Sequence, residues 1–205
     1  MTEPNTNTGQ KFYSVAPLFF VNDIVQSAEF YRDKLGFASG KTWTHKTKRQ
    51  TLTTEVNMIV NRSAPKATVV PILVYQDVEK AIEWLCGAFG FTERLRAGAP
   101  GGSVSHAQLE VAEYAVMLGR QGGEFRPPRP NEVSQYVVVH VEDVDRHFEH
   151  ARQCGARILK TPTDMPFGER QYTVEDPWGH RWTFSQSIAD VAPEAWGARQ
   201  PGSSE

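Results

Sequence analysis

Cysteine, net charge and long apolar runs are all scarce in this sequence, and each scarcity argues against a class of protein. Two cysteines in 205 residues make a framework of disulfides implausible. A formal charge of −2 gives no electrostatic reason to bind nucleic acid or an anionic membrane. No apolar run approaches the length of a membrane-spanning helix, and the first ten residues are polar. We therefore expect a cytoplasmic protein that binds neither nucleic acid nor membrane.

A motif repeated three times dominates the rest of the sequence. Residues 16–37, 70–91 and 136–156 each begin with a short apolar run, place an aspartate seven residues later and continue as an amphipathic helix. The runs have the length and the residue types of buried strands. The aspartates are placed to cap the helices, and a glycine is placed to end each one. The aspartates are Asp23, Asp77 and Asp143, and the glycines are Gly36, Gly90 and Gly155.

Each repeat opens a predicted β-α-β-β-β unit, which predicts an α+β fold. Residues 1–11 are expected to be a disordered lead-in, residues 12–65 an extra unit, residues 68–187 a pair of units and residues 188–205 a tail. A sheet with a helix on one face leaves the other face bare, so each unit needs a second sheet or a ligand. The extra unit has no second unit to pair with in the chain, and this predicts a homodimer.

Three segments of this sequence resemble the glyoxalase/bleomycin-resistance family, also called vicinal oxygen chelate proteins. Residues 23–31 read Asp-Ile-Val-Gln-Ser-Ala-Glu-Phe-Tyr, residues 35–37 read Leu-Gly-Phe, and residues 176–182 read Asp-Pro-Trp-Gly-His-Arg-Trp. Residues 106–108, followed by residues 114–118, are similar to the PhnB-like subgroup. The resemblance implies βαβββ modules paired into an open, cup-like sheet around a small-molecule ligand, with residues 12–65 as an additional half.

The resemblance also implies where a catalytic metal would bind. Family members that use a metal carry His or Gln on the first strand of each module, and Glu or His on the last strand. The corresponding positions here are Ala16, Val70, Tyr136, Met117 and Thr183. Of these only the Tyr136 phenol could bind a divalent ion, and a phenol is a poor ligand. We therefore predict no metal at the usual family positions and no cofactor, with a divalent metal at another position as the alternative.

Strand alternation selects the side chains that should face the cup, because the apolar positions between them should pack on the helices. Two further candidates, Arg170 and Trp178, stand in or near the closing hairpin. Arg170 could bind a carboxylate or phosphate, or form a surface ion pair, and Trp178 could stack on a planar ligand or only pack the turn. The candidate ligand-binding residues are His106, Gln108, Met117, Tyr136, His140, Arg170, Trp178 and Thr183.

Two functions fit these residues. The first is a metal-independent small-molecule-binding protein, akin to the family's drug-sequestering resistance members. The second is an enzyme of the lyase, isomerase or dioxygenase type, which would use a displaced metal site or His106 and His140 as an acid–base pair. Because the fold hosts many chemistries, the resemblance alone does not select between them.

Overall fold

The computed structural model of this chain describes residues 12–19, 61–98 and 102–198, except for residues 66 and 68. It also describes five residues between 26 and 34. Those five residues are helical, where the first repeat predicts a helix. The predicted lead-in, the three further strands of the extra unit at 39–61 and the last seven residues of the tail fall outside the described residues, apart from position 61. The extra unit as a whole therefore stays a prediction.

The described elements follow the order that the second and third repeats predict. The first module runs β2 (Ile72–Tyr75), α1 (Val78–Phe89), β3 (Thr92–Gly98), β4 (Val104–Val111) and β5 (Tyr114–Arg120). The second runs β6 (Gln135–Val141), α2 (Val144–Gln153), β7 (Arg157–Asp164), β8 (Glu169–Glu175) and β9 (Arg181–Ser187). A strand, β1 (Phe12–Phe19), precedes them, and a short 3₁₀ helix (Pro193–Trp196) follows. In the described residues no helix is long and apolar enough to cross a membrane.

The caps that the repeats predict are present at both described helices. An Asp77 side-chain oxygen accepts a hydrogen bond from the Lys80 amide at 3.1 Å, and Asp143 does the same for the Arg146 amide at 2.9 Å. Gly90 ends α1 with φ of 72°, a left-handed conformation that glycine adopts without strain. Asp23 and Gly36, the equivalent residues of the first repeat, lie outside the described residues.

The strands form two sheets with the same internal order. The first sheet has the order β2-β5-β4-β3, and the second has the order β1-β6-β9-β8-β7. In each module the first strand is parallel to the last, and the other neighbours are antiparallel. The α+β class and the paired βαβββ modules are thus confirmed.

Among the described strands, β1 is the outermost one of the second sheet. It runs antiparallel to β6, with Ala16 opposite Val138 and Leu18 opposite Tyr136. The first strand of the first repeat therefore pairs with the first strand of the third repeat. Pro17 stands on this strand, which is outermost among the described ones, as expected for a residue without an amide proton.

The two modules share one hydrophobic core, which lies between each sheet and its helix. Phe89, at the end of α1, contacts the rings of Trp182 and Phe184 on β9, with ring centroids 5.5 and 4.9 Å apart. All three residues are fully buried. Aromatic contacts of this kind add to the energy of burial itself, so they join the two modules at the centre of the core.

Two histidines of α2 bind the carbonyl end of α1. His147 Nε2 lies 3.2 Å from the Phe89 carbonyl oxygen, and His150 Nε2 lies 2.8 Å from the Gly87 carbonyl oxygen. Because a carbonyl only accepts, Nε2 of His147 carries the proton, and Nδ1 accepts from the Tyr172 hydroxyl at 2.6 Å. Burial lowers the pKa of His147 to about 4.

The closing hairpin of the second module is attached to the first module through Asp176. One carboxylate oxygen accepts the backbone amides of Trp178 and His180, each at 3.0 Å. The other accepts the Tyr75 hydroxyl at 2.9 Å and the Trp182 indole N–H at 3.3 Å. Burial raises the pKa of Asp176 and, together with the neighbouring carboxylate, that of Tyr75. The Asp-Pro-Trp-Gly turn is therefore a structural joint between the modules.

Candidate functional site

Each sheet packs one face against the helix of its own module, α1 or α2, and we call the opposite face the open face. On β6 the buried residues Val137, Val139 and Val141 alternate with residues that are half-buried. The half-buried residues that alternate with them, Tyr136, Val138 and His140, lie on the open face. This is the alternation that the sequence predicts for β6.

Residues on the open face of the second sheet lie in three rows across β6, β9 and β8. Each row has one residue from each strand, in register. The first row is Tyr136, Arg181 and Glu175, the second is Val138, Thr183 and Thr173, and the third is His140, Ser185 and Gln171. Glu169 is two residues before Gln171 on β8 and lies beyond the third row.

The third row and Glu169 form a connected polar cluster. One oxygen of Glu169, Oε2, accepts hydrogen bonds from the Ser185 hydroxyl and from Gln171 Nε2, the latter at 2.8 Å. Gln171 Nε2 also lies 3.1 Å from the Ser185 hydroxyl. The other oxygen, Oε1, lies 3.9 Å from His140 Nδ1. Neutral donors therefore fix the carboxylate on one side, and His140 faces it on the other.

The other two rows are internally paired. The Thr173 and Thr183 hydroxyls of the second row are 3.2 Å apart, within hydrogen-bond distance. In the first row Glu175 accepts from Arg157 at 2.6 Å and from Arg181 at 3.5 Å. The open face thus changes along the strands from an arginine–glutamate end, through a threonine pair, to the cluster around Glu169.

The open face of the first sheet is more apolar. Ile72, Met117 and Gln108 lie in register there, and so do Val74, Gly119 and His106. The Gln108 side-chain oxygen accepts a hydrogen bond from Arg94, and Arg94 lies 3.5 Å from Glu110. The β3–β4 register shifts next to Arg94, and this irregularity accompanies its contacts with Gln108 and Glu110.

Six of the predicted site residues lie on the open faces, and two do not. The six are His106, Gln108, Met117, Tyr136, His140 and Thr183. Arg170 lies on the other face of β8, where it binds Asp145 of α2 at 2.9 Å and Asp164 at 2.6 Å. Trp178 packs in the turn against the rings of Tyr75 and Trp84, at 5.4 and 6.5 Å.

The predicted pair of histidines is divided between the sheets. His106 stands on β4 of the first sheet, and His140 stands on β6 of the second. The partner that the structure gives to His140 is Glu169. An acid–base pair at this place would therefore consist of His140 and Glu169.

Sequence reasoning missed Glu169, Gln171 and Ser185 as one cluster. The facing of residues 171–175 is ambiguous in the sequence because a turn of a different length would invert it. The buried residues Tyr172 and Val174 resolve the question, since they alternate with the polar residues of β8. This alternation is visible in the sequence and places Gln171 on the same face as Ser185 whatever the length of the turn.

The structure also contains a cavity of about 300 Å³ that the sequence does not predict. It lies between Ile72 and Val74 on β2 and the connection from β5 to β6. Its other lining residues include Phe125, Pro128 and His180. The Gly- and Pro-rich connection reads only as a linker in the sequence. Since Ile72 and Val74 also belong to the open face of the first sheet, the cavity adjoins that face.

Two βαβββ modules with one shared core and partly polar open faces define the class of fold that the sequence resemblance implies. A comparison with protein families assigns it. The model of the glyoxalase/bleomycin resistance protein/dioxygenase superfamily matches residues 67–184. Because this match covers more than half of the chain, the chain belongs to that superfamily.

Individual relatives match a similar share of the chain. The uncharacterized protein Mb0911c of Mycobacterium bovis is 33% identical over 128 residues, which cover 59% of this chain and 84% of that protein. Rv0887c of Mycobacterium tuberculosis is also 33% identical over 128 residues, and the match covers 75% of that protein. The crystal structure of TioX from Micromonospora sp. ML1 is 36% identical with a TM-score of 0.51, and the match covers 60% of this chain and 99% of TioX. About two fifths of this chain thus lies outside the match to TioX.

The residues at the superfamily's metal positions do not fit a divalent ion. These positions hold Ala16, Val70, Tyr136, Met117 and Thr183, and the side chains of Ala16 and Val70 carry no donor atom. A phenol, a hydroxyl that is bonded to Thr173 and a thioether form a poor donor set for such an ion. Among the described residues, no three His, Cys, Asp or Glu side chains come together as metal ligands would.

Proposed function

We propose that this chain binds a small organic molecule against its open faces, without a metal ion. The observation that carries the proposal is a set of buried polar side chains on the sheet faces that point away from α1 and α2. Gln108, Thr183 and Ser185 are 3%, 6% and 0% exposed. Each is held by a neighbouring side chain: Arg94, Thr173 and Glu169, respectively. Polar groups that are fixed before a ligand arrives favour specific binding.

The donor set at the family's metal positions supports the metal-independent part of the proposal. A chelate mechanism needs ligands that hold the ion while the substrate is bound. Tyr136, Thr183 and Met117 offer no carboxylate, imidazole or thiolate for that task. We further propose that the chain sequesters its ligand, as the resemblance to resistance members implies.

A thermal-shift screen of small organic compounds in buffer with a chelator tests this proposal. We expect some compounds to raise the melting temperature, because a ligand that binds only the folded state stabilises it. Thr183→Val should weaken that effect, since the variant keeps the shape of the side chain but removes the hydroxyl. Ser105→Ala removes a hydroxyl from an exposed position on the other face of β4 and should leave the effect unchanged. A screen in which no compound stabilises the protein would contradict the proposal.

Elemental analysis of protein purified without a chelator tests the metal directly. The proposal predicts no stoichiometric transition metal. Stoichiometric iron, manganese, nickel or zinc would refute metal independence. The residues to substitute would then be His140 and Glu169, since they are the neighbouring imidazole and carboxylate on the open face.

The second candidate function is an enzyme, and the contact between His140 and Glu169 favours it. An imidazole next to a carboxylate is a common arrangement for proton transfer. Conversion of a bound compound into product, lost in His140→Ala with little loss of binding, would favour the enzyme. Sequestration predicts instead that each compound is recovered unchanged.

A further inference from the structure

Glu169 differs in charge balance from the other carboxylate on the open face of its sheet. Glu175 is 15% exposed, and two guanidinium groups, of Arg157 and Arg181, neutralise it. Glu169 is 22% exposed, yet its bonded partners among the described residues, Ser185 and Gln171, are neutral. Its nearby ionisable partner, His140, is charged only when protonated. A carboxylate that is mostly removed from water and has no permanently charged partner favours a positive charge close to it.

The internal repeat shows that the fold does not need this cluster. Counting from the capping aspartates, Val74 of the first module is equivalent to His140 of the second. The strand register then makes Gly119 equivalent to Ser185, and His106 equivalent to Gln171. Two residues before His106, Val104 takes the place of Glu169.

The two modules therefore build the same strand order from different side chains. The first places Val74, Gly119 and Val104 where the second places a histidine, a serine and a glutamate. Burying a charge costs free energy unless something compensates it. Since the first module folds without such a charge, the cluster in the second module is best explained by a ligand.

The geometry points to Glu169 as the anchor for a positively charged nitrogen of the ligand, such as a protonated amine or an amidinium. This inference rests on the proposed function, because it assigns the ligand chemistry of the same open face. Ser185 and Gln171 hold Oε2, which leaves Oε1 on the side of His140 for the ligand. Hydrogen bonds between an ammonium or amidinium group and a carboxylate are among the strong ones in proteins.

The ligand class follows from the surroundings of the anchor. Along the strands from Glu169 lie the Thr173–Thr183 pair and then Tyr136. A ligand that extends from Glu169 in this direction meets hydroxyl groups and then an aromatic ring beside the paired charges of Arg181 and Glu175. We therefore assign to the site an organic cation with an aromatic or amphipathic body.

NMR titration of ¹⁵N-labelled full-length protein with benzylamine, benzamidine and benzyl alcohol tests this assignment. The alcohol keeps the ring and the size of benzylamine but carries no charge. We expect both cations to bind the wild type at least about tenfold more tightly than the alcohol. Glu169→Gln should abolish that preference. Glu149→Gln removes a negative charge from the exposed side of α2 and should keep it.

Other outcomes would overturn the assignment. Equal binding of the alcohol and the cations by the wild type would do so even if Glu169→Gln failed to fold. A preference that survives in Glu169→Gln would also overturn it. If Zn²⁺ or Ni²⁺ displaced benzylamine from the wild type, the carboxylate would be a metal ligand and the organic cation would be the wrong class.

The failure of this inference is distinguishable from a failure of the proposed function. If uncharged library compounds bind the open faces but the affinity for benzylamine does not depend on Glu169, the proposed binding function is supported and the cation anchor is refuted. If neither the library compounds nor the three probes bind, both proposals are refuted.

Discussion

Burial of His147 makes the stability of the fold sensitive to acid. The imidazole is 4% exposed, lies 4.0 Å between ring centroids from Phe184, and is bonded in its neutral form to Tyr172 and Phe89. Desolvation in this site lowers its pKa from 6.5 to about 4. The folded state therefore resists a proton that the unfolded chain accepts. The stability that comes from the neutral form is complete above pH 6.5 and is lost as the pH falls towards 4.

The size of this effect follows from the difference between the two pKa values. At pH 5 the lost free energy of unfolding is about 2 kcal/mol, and at pH 4 it is about 3 kcal/mol. A small domain is stable by only about 5–15 kcal/mol, so the change is easily measured. His147→Gln removes the titrating group and keeps a side chain that can donate to the Phe89 carbonyl.

Urea unfolding between pH 4 and 8 gives the free energy at each pH. We expect the decline below pH 6.5 to be smaller in His147→Gln than in the wild type by the amounts above, whatever the absolute stability of the variant. Tyr172→Phe is the control. It should cost about 1 kcal/mol through the lost hydrogen bond but keep the pH dependence, because the histidine stays buried. An equal decline in the wild type and in His147→Gln would refute the reasoning.

Three further predictions concern the joint, a turn and the assembly. In urea titrations Asp176→Ala should lower the free energy of unfolding by about 3 kcal/mol or more, because it leaves several donors unpaired. Tyr75→Phe should lower it by about 1 kcal/mol, and equal losses in the two variants would contradict the role of Asp176 as the joint between the modules. Gly168→Ala should lower the melting temperature more than Gly123→Ala, because both have positive φ but only at Gly168 would a Cβ lie 2.3 Å from the Ala189 carbonyl oxygen; equal shifts would contradict this. Light scattering should give the mass of two chains, and a mass of one chain would refute the predicted homodimer.

The sequence predicts the modules well because their signals are local. Aspartate caps, closing glycines and apolar runs of strand length act within a few residues, so Asp77 and Asp143 mark their helices without knowledge of the tertiary structure. The Ala112–Glu113 turn between β4 and β5 is local in the same way. The facing of β4 and β6 follows from their apolar alternation.

The cluster around Glu169 depends on register between strands that are distant in sequence. His140 meets Ser185 because β6 pairs with β9, and Ser185 meets Gln171 because β9 pairs with β8. Arg170 reaches Asp145 of α2 by the same tertiary arrangement. A single sequence contains the residue types but not these pairings, so the predicted histidine pair omitted Glu169, the actual neighbour of His140.

Calorimetric titration of a compound from the thermal-shift screen, before and after exhaustive dialysis of the protein against a chelator, tests the central claim most directly. Metal-independent binding on the open faces predicts the same dissociation constant and the same stoichiometry in both titrations. Binding that disappears after dialysis and returns with Ni²⁺, Zn²⁺, Mn²⁺ or Fe²⁺ would contradict the account.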